Sequence, residues 1–119
     1  MNLTWGTCGG NSSWCSFTAV NLAHPFFDGK EGVYIIWQGR GPVIRIGQGV
    51  IRDRLNVHRS DSAITAYKNL YVTWAVVSTL QRDGVERYLT ERLNPVVGER
   101  HPITVTPIVV NLPSPDWPY

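Results

Sequence analysis

A chain of 119 residues suffices for one domain with a single modest core. Its 43% hydrophobic content is ordinary for a globular protein and excludes wholesale disorder. The net charge of +2 is too small to specify a partner, but its distribution is uneven. Five arginines and one acid, Asp53, fall between Arg40 and Arg59, while the chain has only two lysines, Lys30 and Lys68. Arginine suits bidentate phosphate contacts better than lysine does. A solvated face accounts for so short a run equally well.

The two cysteines, Cys8 and Cys15, cannot make a disulfide framework, and their spacing fits no zinc knuckle. With His24 as a third ligand, a fourth would still be missing. No basic start leads into an apolar run, so no signal peptide is expected. No stretch reaches the roughly 18 apolar residues of a membrane span. The expectation is a cytoplasmic protein with reduced thiols and no membrane partner.

Residues 1–30 read as an irregular arm, with a turn cluster at Gly9-Gly10-Asn11-Ser12-Ser13. Trp5, Trp14, Phe17, Phe26 and Phe27 present more aromatic surface than water tolerates, so the arm should pack onto the domain. Base stacking by one of these rings is the alternative. Val33-Tyr34-Ile35-Ile36-Trp37 is a β-rich run, Gly39-Arg40-Gly41-Pro42 a turn cluster, and Val43-Ile44-Arg45-Ile46 a second short strand. An antiparallel hairpin follows, with Gly47-Gln48-Gly49 breaking the strand.

Residues 50–59 have helical spacing, Ile51, Leu55 and His58 sharing a face, and Arg54 and His58 lie four apart. Ser60-Asp61-Ser62 is a loop or a new cap, residues 63–69 read as helical, and Leu70 to Val77 is a third strand. Asp83 to Leu93 is a second clear helix with Val85, Leu89 and Leu93 as its buried stripe, ended by Asn94-Pro95. Glu86 borders that stripe and can still reach a cleft. Residues 99–119 form a proline-rich extension. Residues 103–110 are a candidate edge strand, Pro107 arguing against a central one. His101 reads as a plain loop residue. The predicted fold is a small α+β domain, a mainly antiparallel three-stranded sheet flanked by helices.

Gly32-Val33-Tyr34 on the first strand, Arg45-Ile46-Gly47 on the second, then Arg54, His58 and Glu86 stand in an order that resembles the GIY-YIG nuclease domain. The resemblance covers about residues 31–98. The run from Gly47 through Arg54 and Leu55 to His58 is similar to the family's sequence after its second motif. Glu86, followed by Leu89 and Pro95, is similar to its glutamate-bearing helix. Two positions depart from the pattern. Arg45 stands where the family has a tyrosine, and Gly98 falls where it has a terminal asparagine, with Asn94 and Asn111 as nearby candidates.

The resemblance implies a metal-dependent DNA endonuclease. Phosphodiester hydrolysis needs an activated water, a clamp for the added negative charge and help for the leaving oxygen. Glu86 would hold a single Mg²⁺ or Mn²⁺, which keeps several waters and takes phosphate oxygens. Arg54 would steady the phosphoryl oxygens. Tyr34 would activate or orient the water, which requires nearby positive charge because an unperturbed tyrosine titrates near pH ~10. His58 would share proton transfer or anchor the tyrosine hydroxyl. Arg45 would supply positive field beside Tyr34. Arg40, Arg52 and Arg59 are candidate contacts to the nucleic-acid backbone, giving salt-sensitive binding. The rival readings are a nucleic-acid-binding module without catalysis, and a protein-interaction domain using the aromatic arm and proline-rich tail.

Overall fold

The computed structural model describes residues 1–8, 13–98 and 104–113. The readings made for residues 9–12, for His101 and Ile103, and for the tail beyond Pro113 fall outside them.

The fold is α+β, built on strand β2 (Glu31–Gln38). Its residues alternate between two cores: Val33, Ile35 and Trp37 enter one, Tyr34 and Ile36 the other. Burial on both faces explains why the strand reads as a continuous apolar run. Strands β3 (Val43–Val50) and β4 (Leu70–Val76) pair with it on either side, both antiparallel. The sheet has four strands rather than the expected three, in the order β1-β4-β2-β3. The extra strand, β1 (Cys15–Ser16), comes from the arm and pairs with Val72 and Tyr71 of β4.

Strand β3 does not stop at Ile46. Gly47, Gln48 and Gly49 stay in the ladder opposite Tyr34, Val33 and Gly32. Glycine lacks a side chain but keeps both backbone hydrogen-bonding groups, so the ladder continues through it.

Helices α1 (Ile51–Arg59) and α2 (Ser62–Thr65) cover the Tyr34 face through Ile51, Leu55 and Ile64. Helix α3 (Thr79–Leu93) covers the opposite face through Val85 and Leu89, both at 0% exposure. Fully burying one such side chain stabilises the fold by about 1.5–3 kcal/mol relative to leaving it in water. Helix α3 starts a turn before the expected Asp83. Ser78 takes the extended N-cap conformation, and its Oγ pairs with the side chain of Gln81 at 3.1 Å. The helix ends where expected, with Asn94 in the left-handed region at φ 47°.

The thiols are not free. Cys8 and Cys15 form a disulfide, with their Cα atoms 5.0 Å apart, which corrects the expectation of reduced cysteines. A bridge between Cys8 and Ser13 turns the chain back and brings the two sulfurs together. Trp5, Phe17 and Phe27 are buried, while Phe26 remains 48% exposed. No helix among the described residues is long and apolar enough to cross a membrane.

Residues 104–113 form no strand, contrary to the edge strand expected there. They are held instead by single contacts: Ile108 N–H donates to the Gly84 carbonyl at 2.9 Å, and the Asn111 side chain bonds both backbone groups of Leu3. Part of the outer edge of β3 is taken by the segment after α3, whose Val96 and Val97 N–H groups donate to the carbonyls of Val43 and Ile44.

Candidate active site

Tyr34 is fully buried in the central strand, yet its hydroxyl reaches the edge of the sheet. Its ladder partner on β3 is Gly47. A Cβ at Gly47 would run into the hydroxyl and ring of Tyr34, so only glycine there lets the ring lie across β3. Gly49, one pleat further, has φ +132°, and a Cβ on it would press the aliphatic stem of Arg54 at 3.2 Å. The two glycines that looked like a strand break make room for two candidate site residues.

A register shift in the β2–β3 ladder places Arg45. Ile36 pairs with Arg45 and Trp37 with Val43, leaving Ile44 as the extra residue of a bulge. Ile44 enters the core on the Tyr34 face, and Ile46 the core on the other. Arg45, preceding Ile46, therefore also falls on the Tyr34 face.

Helices α1 and α3 lie on opposite sides of the sheet, but β3 is its edge strand. Side chains from both helices meet around that edge. The resulting pocket, about 370 Å³, is lined by Tyr34, Arg45 and Gln48 from the sheet, Arg54 from α1, and Glu86, Thr90 and Asn94 from α3. Glu86, Thr90 and Asn94 are spaced by four and form one oxygen-bearing stripe along the helix. Gln48 is fixed by donating to the Asp83 carboxylate at 2.6 Å. Behind the pocket, the Tyr34 hydroxyl lies 2.5 Å from Nε2 of His58, which is 3% exposed.

The charges here act against each other. Burial pushes the Tyr34 hydroxyl above its ordinary pKa of 10.0, while the Arg54 and Arg45 guanidinium groups pull it down. Burial and the positive charges of Arg45 and Arg54 lower His58 from 6.5 to about 4, with Asp61 opposing weakly. At neutral pH the ring is uncharged. With its proton on Nδ1, Nε2 accepts from the Tyr34 hydroxyl; the other tautomer reverses that bond. Nδ1 of His58 and Nε of Arg45 are buried without a hydrogen-bond partner among the described residues.

The pocket thus brings together Tyr34, Arg45, Arg54 and Glu86, with His58 one bond behind. It does not bring in the other predicted arginines. Arg52 donates to the carbonyls of Leu22 and His24 and pairs with Asp28 at 2.8 Å. Arg59 donates to the carbonyls of Phe17 and Val20. These two fasten the arm to α1, a role that their reading as candidate nucleic-acid contacts did not include. Arg40 sits in the exposed β2–β3 turn.

Of the asparagines weighed for the terminal position, Asn94 lines the pocket and Asn111 binds Leu3. Gly98 also lines the pocket, close to Arg45. Sequence reasoning missed Gln48 and Thr90. The four-residue spacing from Glu86 was a legible signal for Thr90, whereas nothing local marked Gln48.

Glu86 is the one acid among the described residues that line the pocket. No group of three or more histidines, cysteines or acids that could hold a metal occurs among the described residues. That donor set does not fit a closed zinc site. It does fit a hard divalent ion, which needs few protein ligands and prefers oxygen. No protein-family model matches the chain, and neither a curated protein nor a solved structure shows significant similarity to it.

Proposed function

We propose that the chain is a divalent-metal-dependent DNA endonuclease of the GIY-YIG type. The observation that carries this reading is the convergence of Tyr34, Arg45, Arg54 and Glu86 on one pocket, with the Tyr34 hydroxyl hydrogen-bonded to His58. A Mg²⁺ or Mn²⁺ ion on Glu86 would supply Lewis-acid polarisation of the scissile phosphate.

Arg45 and Arg54 clamp the phosphoryl oxygens and stabilise the charge that builds on them. The water oxygen bonds to phosphorus as the bond from phosphorus to the leaving sugar oxygen breaks. In that step the water gives its proton to the Tyr34 oxygen, the tyrosine passes its own to Nε2 of His58, and the leaving oxygen takes a proton from solvent. Tyr34 therefore need not exist as a phenolate, which its raised pKa disfavours. The bound phosphate offsets the two positive charges that hold His58 low, so the ring becomes a better proton acceptor when substrate is in place. Arg45 does not imitate the family's tyrosine in this scheme; it adds a second phosphate contact.

One observation favours the rival of a binding module without catalysis: Arg45, at the position of the family's second tyrosine, lines the pocket and can hold a phosphate without taking part in proton transfer. A nicking assay with Mg²⁺ or Mn²⁺ on single-stranded, duplex and branched DNA separates the two readings. The nuclease reading predicts metal-dependent nicks that Glu86→Ala and Arg54→Ala abolish.

A further inference from the structure

We infer that the chain carries a second nucleic-acid site, a stacking pocket for one unpaired nucleotide, formed by Trp14, Tyr71 and Arg40 at the β2–β3 turn. The inference rests on the nucleic-acid part of the proposed function and not on catalysis.

The pocket, about 520 Å³, lies apart from the Tyr34 site and shares no lining residue with it. Its floor is aromatic. Trp14 meets the buried Trp37 edge-on at 5.5 Å, and Tyr71 stacks on the same ring at 5.8 Å. Trp14 and Tyr71 are half-buried, so each retains surface that a planar ligand can cover. Two loops form the rim, and two hydrogen bonds hold them together. Gly39 N–H donates to the Asn69 carbonyl at 2.9 Å, and the Gln38 side chain donates to the Lys68 carbonyl at 3.0 Å.

Both rim loops carry a non-glycine residue in the left-handed region, Arg40 at φ 57° and Asn69 at φ 58°, and both of these residues line the pocket. Asparagine tolerates this conformation, whereas for Arg40 it costs free energy, so the turn holds a charged side chain at the rim at some expense. The disulfide at Cys15 anchors the neighbouring Trp14.

The charge around the rim selects the ligand. Arg40 is the one charged residue among the described residues that line the pocket. An aromatic floor with a cation at its rim matches a base joined to a phosphate. A neutral sugar ring would use the aromatic floor but leave Arg40 without a role. A duplex would also be excluded, because its bases are already stacked on one another. The arm's aromatics thus divide: Trp5, Phe17 and Phe27 are core, and Trp14 faces a ligand.

The test is fluorescence anisotropy of a labelled oligothymidylate of about eight nucleotides, a length that spans one such site. Metal is omitted so that nothing is cut. Trp14→Ala should weaken binding by about tenfold. Arg40→Asn keeps a residue that tolerates the left-handed turn, removes the charge and should lower the salt dependence by about 0.7 of a counterion. Because Arg40 is exposed, that variant also guards against a Trp14 variant that fails to fold. Three results would each overturn the site: no binding by the parent, equal affinity and salt slope in the parent and Arg40→Asn, or binding of maltohexaose without binding of oligothymidylate. An absence of nicking elsewhere would remove the catalytic reading and leave these affinities unaffected.

Discussion

The hydroxyl of Tyr34 and Nε2 of His58 lie 2.5 Å apart, although one belongs to the central strand and the other to a covering helix. The contact exists because Gly47 leaves the space that the tyrosine ring crosses. It joins a pocket-lining hydroxyl to a buried imidazole that is neutral at physiological pH.

Gly47→Ala tests that packing. The added methyl meets the Tyr34 ring and hydroxyl, not the end of a flexible chain. The variant should lose about 1–3 kcal/mol of stability in urea unfolding, together with any nicking activity. Gly41→Ala, in the exposed turn, serves as the comparison, since its new methyl would meet only the Gln38 side chain. Equal stability of Gly47→Ala and the parent would show that Tyr34 does not cross β3 there.

His58 should make stability depend on pH. In the unfolded chain the ring takes a proton near 6.5, but in the fold it does so only at about 4. Between these values the unfolded state holds more protons, so stability falls as pH drops from about 6.5 to about 4. The ring is faced by Arg45, Arg54, Asp61 and the neutral Tyr34 hydroxyl, and the arginines together with burial set the direction. The loss is about 3 kcal/mol. His58→Gln keeps an acceptor for Tyr34 and should flatten this slope when urea midpoints are compared between pH ~7 and ~4.5. An unchanged slope in that variant would place the titrating group elsewhere.

Arg59 and Arg45 should behave differently. Arg59→Ala removes the donor for the Phe17 and Val20 carbonyls and should destabilise the arm by about 1–3 kcal/mol. Its affinity for duplex DNA should keep the parent's salt slope. Arg45→Gln should lower that slope by about 0.9, one phosphate contact's worth. The reverse pattern would return Arg59 to the nucleic-acid interface.

The sequence made the hairpin, α1 and the end of α3 legible because each carries a local signal: a β-branched run, an apolar face or an Asn-Pro stop. The joint presence of Tyr34, Arg54 and Glu86 was also readable, as an ordered set of residue types. What was not readable depends on distant partners. Gly47 and Gly49 looked like breakers because their use lies across the ladder and on α1. The bulge that aims Arg45 is a property of two strands together. The arm contacts of Arg52 and Arg59 were not readable because their carbonyl acceptors sit some thirty to forty residues away. Residues 15–16 are too short a strand to show a period of two.

The disulfide is independently testable. It closes a short loop, at a sequence separation of 7, and anchors β1 beside Trp14. Chain-entropy reasoning assigns such a loop about 2.5 kcal/mol. Cys8→Ser with Cys15→Ser should lower the unfolding midpoint accordingly. Protein purified without reductant should gain no adduct from iodoacetamide while folded or in urea. Alkylation of both cysteines in urea would contradict the bridge.

The central claim is that Tyr34, Arg45, Arg54 and Glu86 form one hydrolytic centre. The most direct measurement is nicking of labelled DNA, single-stranded, duplex and branched, with Mg²⁺ or Mn²⁺ and with EDTA. The account predicts cleavage that requires the metal. It also predicts that Arg54→Ala and Glu86→Ala each lower the rate by at least about 100-fold, while both variants retain the parent's unfolding free energy to within about 1 kcal/mol. Absence of metal-dependent cleavage on every substrate, or cleavage that survives both substitutions, would contradict it.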